Sequence, residues 1–116
     1  MDRAVGQAIF AAASGRIAEL DLERCREVEL KALRRVKMRG PPEAADLLRD
    51  LKARPASEEW RDRLDHSLRR IFRQMLEERV DADTARVGLN AFVDGQVETA
   101  DRWLTADLLV RPWGVR

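Results

Sequence analysis

Apolar side chains recur at steps of three and four along most of the chain, which is the spacing of one face of an α-helix. The pattern is clearest over residues 56–80, a stretch without Gly or Pro. Its apolar face comprises Trp60, Leu64, Leu68, Ile71, Phe72, Met75, Leu76 and Val80. Ser57 stands at the N-cap position, and Glu58 and Glu59 follow it where carboxylates meet the positive end of the helix dipole. We therefore predict one long amphipathic helix here.

Three helices are predicted upstream of this one. The first spans about 2–13, and Ser14–Gly15 then offers a break, although one glycine costs a helix only ~1 kcal/mol and the helix could run on. The second spans about 16–38, and its main apolar face comprises Ile17, Leu20, Cys25, Val28, Ala32 and Val36. The Gly-Pro-Pro run at 40–42 supplies a left-handed C′ glycine and a proline stop. A short third helix then covers about 42–53.

A last helical region is predicted after Val80. Asp81 or Asp83 is suited to the N-cap, and the helical pattern extends to about Val110. The apolar positions that share one face are Leu89, Phe92, Val93, Ala100, Trp103 and Leu104. The tail 111–116 is predicted to be non-helical.

Three small residues and one aromatic residue of the tail are candidate interaction residues. Gly88, Ala91 and Gly95 lie together on the other side of the last helical region. Either a neighbour packs closely on this strip, or Asp94–Gly95 ends one helix and starts another, and we favour the break. Trp113 either folds back over the bundle, which we favour, or anchors a partner, because Trp is a frequent interface hot spot.

These elements predict an all-α fold, an antiparallel bundle of four or five helices in a single domain that covers residues 1–110. The second and fourth helices are expected at its centre, because the broad apolar stripe of the second implies contacts on two sides. No run of Val, Ile and Thr alternates at period two, so no strand is predicted. A content of 45% hydrophobic and 37% charged residues is typical of a soluble helical protein rather than a disordered chain.

Hydropathy and cysteine usage bear on location. No apolar run approaches the ~20 residues that a membrane-spanning helix needs, so no membrane association is expected. The single cysteine, Cys25, cannot form an intrachain disulfide, and its place on an apolar face suggests a small buried hydrophobe. The expected setting is therefore reducing and cytoplasmic.

Residue types for metal or cofactor chemistry are scarce. The chain has one His, one Cys and neither a CxxC nor an HExxH motif, and no Gly-rich phosphate loop follows a strand. No local motif supports a Ser–His or Cys–His pair. We therefore expect no metal, no cofactor and no catalytic set, and only His66 leaves the question of an enzyme open.

His66 belongs to two short resemblances. The sequence H-S-L-R at His66–Arg69 resembles the start of histidine-phosphotransfer domains, which implies an exposed His that accepts phosphate on a helical bundle. Arg70 stands where that family has a small residue. The segment Arg61–His66 is similar to the R-x4-H motif of HEPN ribonucleases, which implies a metal-independent RNA cut by paired Arg and His across a dimer. The alternative, which we favour, is an exposed surface His paired with Asp62 one helical turn away.

Basic residues cluster at the end of the second helix and on the fourth, although the net charge is only +1. The candidate contacts to a nucleic-acid backbone are Arg34, Arg35, Lys37, Arg39, Arg69, Arg70 and Arg73. Such a patch would hold phosphates without specifying a base sequence. The alternative is that these cations only complement the negative end of a helix dipole.

We interpret the chain as a non-catalytic helical interaction subunit that works through helix faces, with a copy of itself or within a larger complex. The broad apolar stripes, the strip of small residues and the apolar tail motivate this interpretation. One alternative is a small helical subunit that grips an RNA or DNA backbone with the arginine patch. The other is a phosphotransfer protein or HEPN-like RNase that depends on His66.

Overall fold

The computed structural model describes residues 1–39 and 42–104. Its elements are α1 (Arg3–Glu19), α2 (Leu22–Arg39), α3 (Glu43–Lys52), α4 (Glu58–Glu78), α5 (Ala82–Val93) and a 3₁₀ helix (Val97–Ala100), after which helical backbone continues to residue 104. These ranges contain no strand, and the predicted all-α bundle is confirmed. The C′ glycine predicted at position 40, the tail 111–116 and its Trp113 lie outside the described residues.

Consecutive helices run in opposite directions, yet α2 and α4 lie side by side and run the same way. The guanidinium of Arg26 on α2 lies 5.8 Å from the ring centre of Trp60 near the start of α4. Further along both helices, the Ser67 hydroxyl donates to the Glu29 carboxylate. The short helix α3 is therefore the return segment that brings the chain back before α4 begins.

α1 and α5 form a second parallel pair, although they are far apart in the sequence. At one end, the α-amino group of Met1 donates to the carbonyl of Val80 at 3.2 Å. At the other end, Arg16 donates to the side-chain oxygen of Asn90 at 2.8 Å. The first and last α-helices of the described fold therefore close the bundle.

α4 packs against α1, α2 and α5, and its predicted apolar stripe is buried among them. The buried members are Trp60, Leu64, Leu68, Ile71, Phe72 and Met75. Trp60 donates its indole N–H to the carbonyl of Pro55 at 2.9 Å. This hydrogen bond satisfies the only polar group of the buried side chain. Phe72 stacks on Phe10 of α1, with ring centroids 5.0 Å apart.

The boundary between the first two helices differs from the prediction. α1 continues through Ser14 and Gly15, so the predicted break there is wrong. The Ser14 hydroxyl donates to Asp65 of α4 at 2.6 Å, and one glycine costs a helix only about 1 kcal/mol. The turn lies instead at Asp21, whose carboxylate accepts from the backbone N–H of Arg24 at 2.7 Å and caps α2. Ile17 consequently belongs to α1 rather than α2, and Leu20 is the C-cap residue that follows α1.

The last helical region is broken at Asp94–Gly95, as the sequence favours. α5 ends with Asp94 as its C-cap, and Gly95 has φ of 91°, which suits only glycine without strain. The Asp81 carboxylate caps the start of α5 by accepting from the N–H of Thr84 at 2.7 Å. Both signals at the ends of this helix are local, and both are confirmed.

An arginine from α4 closes the C-terminal end of α1. Arg61 donates through Nη1 to the carbonyls of Ile17, Ala18 and Leu20, at 2.8, 3.2 and 2.7 Å. The last carbonyls of a helix have no partner within the helix and carry the negative end of its dipole. Arg61 therefore supplies both the missing donors and the matching charge.

The same arrangement recurs at the ends of α3 and α5. Arg26 of α2 donates to two backbone carbonyls at the end of α3, at 2.8 and 2.9 Å. Arg24 and Lys31, also of α2, donate to the carbonyls of Asp94 and Gly95 after α5, at 2.7 and 2.9 Å. Four cations thus join the C-terminal ends of three helices to their neighbours.

Replacing Arg61 by Lys should destabilise the fold. An ammonium group on a flexible stem cannot reproduce the donor geometry of the guanidinium, so we expect a loss of about 1–3 kcal/mol in the free energy of unfolding. Urea denaturation followed by circular dichroism would measure it. The matched control is Arg73→Lys, an exposed position on the same helix, for which a change within about 0.5 kcal/mol is expected. Equal stability of the two variants would contradict the capping role.

Replacing two of the glycines by alanine should change the free energy of unfolding in opposite directions. A Cβ at Gly15 would meet nothing within 4 Å, so Gly15→Ala should raise the free energy of unfolding by about 0.5–1 kcal/mol. A Cβ at Gly95 would stand 2.6 Å from Nη2 of Arg24 and require the positive φ, so Gly95→Ala should lower it by about 1 kcal/mol or more. Chemical denaturation of both variants checks this, and a shared sign would refute it.

Candidate functional site

A pocket of about 260 Å³ between α2 and α4 gathers polar side chains. One lining residue, Glu29, comes from α2. The others share one face of α4 and are Glu59, Asp62, Arg63, His66, Ser67 and Arg70. We call this site the Glu29 pocket.

Glu29 forms the buried part of this pocket. Only 2% of the surface of Glu29 is exposed, and its Oε1 accepts a hydrogen bond from the hydroxyl of Ser67 at 2.8 Å. Burial raises the pKa of Glu29 to about 7, because the charged form loses its water. The Ser67 hydrogen bond and the guanidinium groups of Arg63 and Arg70 oppose this rise. Glu29 is therefore partly protonated at neutral pH.

The rim of the pocket carries charges of both signs. Arg63 donates through Nε to Glu59 at 3.2 Å, and Glu59 also accepts from Arg54. His66 is exposed, as expected. The expected pairing of His66 with Asp62 is not seen, and neither side chain has a hydrogen bond or ion pair within the part of the chain that the structure describes. Both remain available to a molecule in the pocket.

The arrangement is suited to proton exchange and to binding an oxyanion. A carboxyl group that titrates near neutral pH can both take up and release a proton. Guanidinium groups present donors in the planar geometry that matches carboxylate and phosphate oxygens. The Ser67 hydroxyl is directed at Glu29 rather than at an imidazole, so it does not form the Ser–His pair of a nucleophilic enzyme.

The two residues of the R-x4-H segment face different surfaces of α4. Arg61 lies against the end of α1, where it caps three carbonyls. His66 lies at the rim of the Glu29 pocket. They are five positions apart on the helix, which corresponds to a rotation of roughly 140° about the axis. Within one chain they do not converge on a common space.

The basic residues proposed for a nucleic-acid backbone are divided among several surfaces. Arg35 binds the Asp101 carboxylate through two nitrogens, at 3.3 and 3.2 Å. Arg69 lies over the ring of Phe10 on α1, 5.0 Å from its centroid, whereas Arg70 lines the Glu29 pocket. Arg39 is the last residue of α2. The remaining members are exposed, and they are Arg34, Lys37 and Arg73.

The strip of small residues is buried inside the described fold. A Cβ on Gly88 would stand 2.8 Å from Cε of Met75 and 3.4 Å from the ring of Trp103. Ala91 is buried, and Gly95 lies against a side chain of α2. The close neighbour that the sequence allowed for is therefore another part of the same chain.

Cys25 is buried, as expected, and burial raises the pKa of its thiol, which disfavours the reactive thiolate. Among residues 1–39 and 42–104, no group of three or more His, Cys, Asp or Glu side chains is placed to hold a metal ion. No helix in the same ranges is both long and apolar enough to cross a membrane.

Comparison with known proteins assigns no family to the chain. No protein-family model, curated protein or solved structure matches it.

Glu29, the buried residue of the pocket, is not among the site residues predicted from the sequence, and neither are Arg63 and Ser67. Glu29 lies between two buried residues, Val28 and Leu30, and stands one turn after Cys25 and one turn before Leu33. A carboxylate in the middle of an otherwise apolar helix face is the signal that could have found it. Its partner Ser67 could not be identified without the packing of α4 on α2.

The burial of Glu29 should make stability fall as pH rises. The folded protein retains a proton that the unfolded chain releases near its ordinary pKa of 4.5, so the unfolded state binds fewer protons between that value and about 7. Relative to Glu29→Gln, the wild type should lose roughly 2–3 kcal/mol between pH 5 and pH 8. Urea denaturation of both proteins across this range measures the difference.

The control for this experiment is Asp81→Asn. Hydrogen bonds from Thr84 lower the pKa of Asp81, so its carboxyl is ionised in both states above pH 5. The stability difference between this variant and the wild type should stay constant from pH 5 to pH 8. If the stability difference between Glu29→Gln and the wild type were also constant over this pH range, the raised pKa of Glu29 would be contradicted.

Proposed function

We propose that the protein is a non-catalytic assembly subunit that associates with a second copy of itself through the exposed face of α1. The observation that carries the proposal is the composition of this face. The run Ala4–Gly15 is the longest in the chain without a charged residue, in a protein of which 37% is charged. A helix face that is exposed to water is expected to be polar, so this one favours a partner.

Five of the exposed residues of α1 have the spacing of a helix–helix seam. Its members follow one another at steps of four, three, four and three, and they are Ala4, Ala8, Ala11, Gly15 and Ala18. All of them are exposed, and we call them the α1 seam. This spacing is that of the a and d positions of a coiled coil, where the residues face a second helix. The small side chains would allow two backbones to approach closely.

The charges at the two ends of α1 favour a second copy in antiparallel orientation. Arg3 and Glu19 are exposed at opposite ends, equally distant in sequence from Ala11. A twofold axis near Ala11 would therefore place each Arg3 at the same level along the helix pair as the partner's Glu19, and it would oppose the two helix dipoles. The same surface on both copies would be self-complementary.

The other apolar features of the sequence offer less support for association. The stripes of α2 and α4 are buried within the chain, and so is the strip of small residues on α5. Val5, which is 43% exposed, borders the α1 seam and would extend it. α1 spans only about 25 Å, so a helix pair buries less than the ~1,200 Å² of the smaller stable interfaces. The association is therefore expected to be weak and dependent on concentration.

Replacing Ala11 by Arg should abolish self-association. The charge would lie at the centre of the α1 seam, where the arginines of the two copies would repel each other in an interface that excludes water. Sedimentation velocity over a range of protein concentrations should show a monomer–dimer equilibrium for the wild type and a monomer for the variant.

The matched control is Val87→Arg, which replaces another exposed apolar residue on α5, away from the seam. It should dimerise like the wild type. The proposal would be refuted if the wild type stayed monomeric at the highest concentrations, or if both variants lost dimerisation equally.

A further inference from the structure

The Glu29 pocket places two guanidinium groups and an imidazole around a buried carboxyl group. Arg63 and Arg70 stand two turns apart on α4 with His66 between them, and Glu29 faces them from α2. The volume of about 260 Å³ is several times the ~30 Å³ that one water occupies in the liquid. The pocket therefore has room for a tetrahedral oxyanion and some of its water.

We propose that this pocket binds the phosphate group of a small molecule through Arg63, Arg70 and His66, and that binding is coupled to protonation of Glu29. The pocket contains no residue of the α1 seam, so phosphate binding here does not depend on self-association of the protein.

The donors needed for an oxyanion are present on the rim. Arg63 uses Nε for Glu59, and among residues 1–39 and 42–104 its two Nη groups have no hydrogen-bond partner and can meet a ligand. A guanidinium fork matches the spacing of two phosphate oxygens. The exposed imidazole of His66 adds one more donor, and a positive charge when it is protonated.

The proton on Glu29 decides how well an anion is tolerated. Ionised Glu29 repels it, whereas the protonated carboxyl removes this repulsion and offers an O–H donor. Arg63 and Arg70 favour the ionised form of Glu29, and an anion that neutralises them would favour the protonated form. By linkage, the anion should bind more tightly as the pH falls. Two further carboxylates at the rim, those of Glu59 and Asp62, carry negative charge that opposes an anion.

Sulfate is the probe for the test, because it keeps its double negative charge from pH 6 to pH 8. His66→Asn is the starting protein, which removes the imidazole and leaves the carboxyl of Glu29 as the group under test. Sulfate affinity, measured by isothermal titration at constant ionic strength, should be about tenfold higher at pH 6 than at pH 8, as expected for coupling to a group with a pKa of about 7. Adding Glu29→Gln should make the affinity the same at both values.

The guanidinium groups are tested in the otherwise wild-type protein at pH 6. Arg63→Gln and Arg70→Gln should each weaken sulfate binding at least tenfold, whereas Arg73→Gln, an exposed position outside the pocket, should leave it unchanged. Circular dichroism of each variant confirms that it is folded. Arg63→Lys, which keeps the charge but loses the fork, should be intermediate.

Two further anions identify the ligand class at pH 6. Inorganic phosphate should compete with sulfate, and acetate at equal ionic strength should compete far less well. Binding that survives Arg63→Gln in a folded protein, or a pH dependence that persists after Glu29→Gln, would overturn the proposal. Stronger competition by acetate would overturn the assignment to phosphate.

Discussion

The fold depends on cations that close the C-terminal ends of its helices. Each end presents carbonyls without partners and a partial negative charge, and burying such an end uncompensated would be costly. Arg61 donates to the free carbonyls at the end of α1, Arg26 to those at the end of α3, and Arg24 and Lys31 to those after α5. These contacts also fix how far each helix slides along its neighbour, because a side chain of fixed length must reach a particular carbonyl. Part of the high arginine content is explained by this structural role.

The helices could largely be predicted from the sequence, because periodicity and caps are local properties. The stripe on α4, the cap at Asp81 and the break at Asp94–Gly95 all depend on residues within a few positions of one another. The break at Ser14–Gly15 was wrong for the converse reason. Ser14 is held within α1 by Asp65, a residue of another helix, and no local pattern shows that contact.

The candidate site could be predicted only in part. His66 is conspicuous as the single histidine, and its exposure follows from the helix period. Glu29 and its hydrogen bond to Ser67 depend on the parallel packing of α2 and α4, which requires knowing that α3 returns the chain. The Glu29 pocket and the α1 seam are opposite exceptions to the rule that charged residues lie on exposed helix faces and uncharged ones on buried faces. At Glu29 a charge lies on a buried face, and along the α1 seam uncharged residues lie on an exposed one.

The pairing of α1 with α5 has a consequence for the order in which the chain folds. Arg16 and Asn90 are separated by 74 positions, so α1 leaves the ribosome well before its packing partner α5. Until then α1 can complete only its contacts with α4, and the remainder of its inward face stays in water. Closing so long a loop is entropically slow compared with forming the local helical hairpins. The final step of folding is therefore expected to be the docking of α5 and the segment that follows it onto a preformed α1–α4 unit.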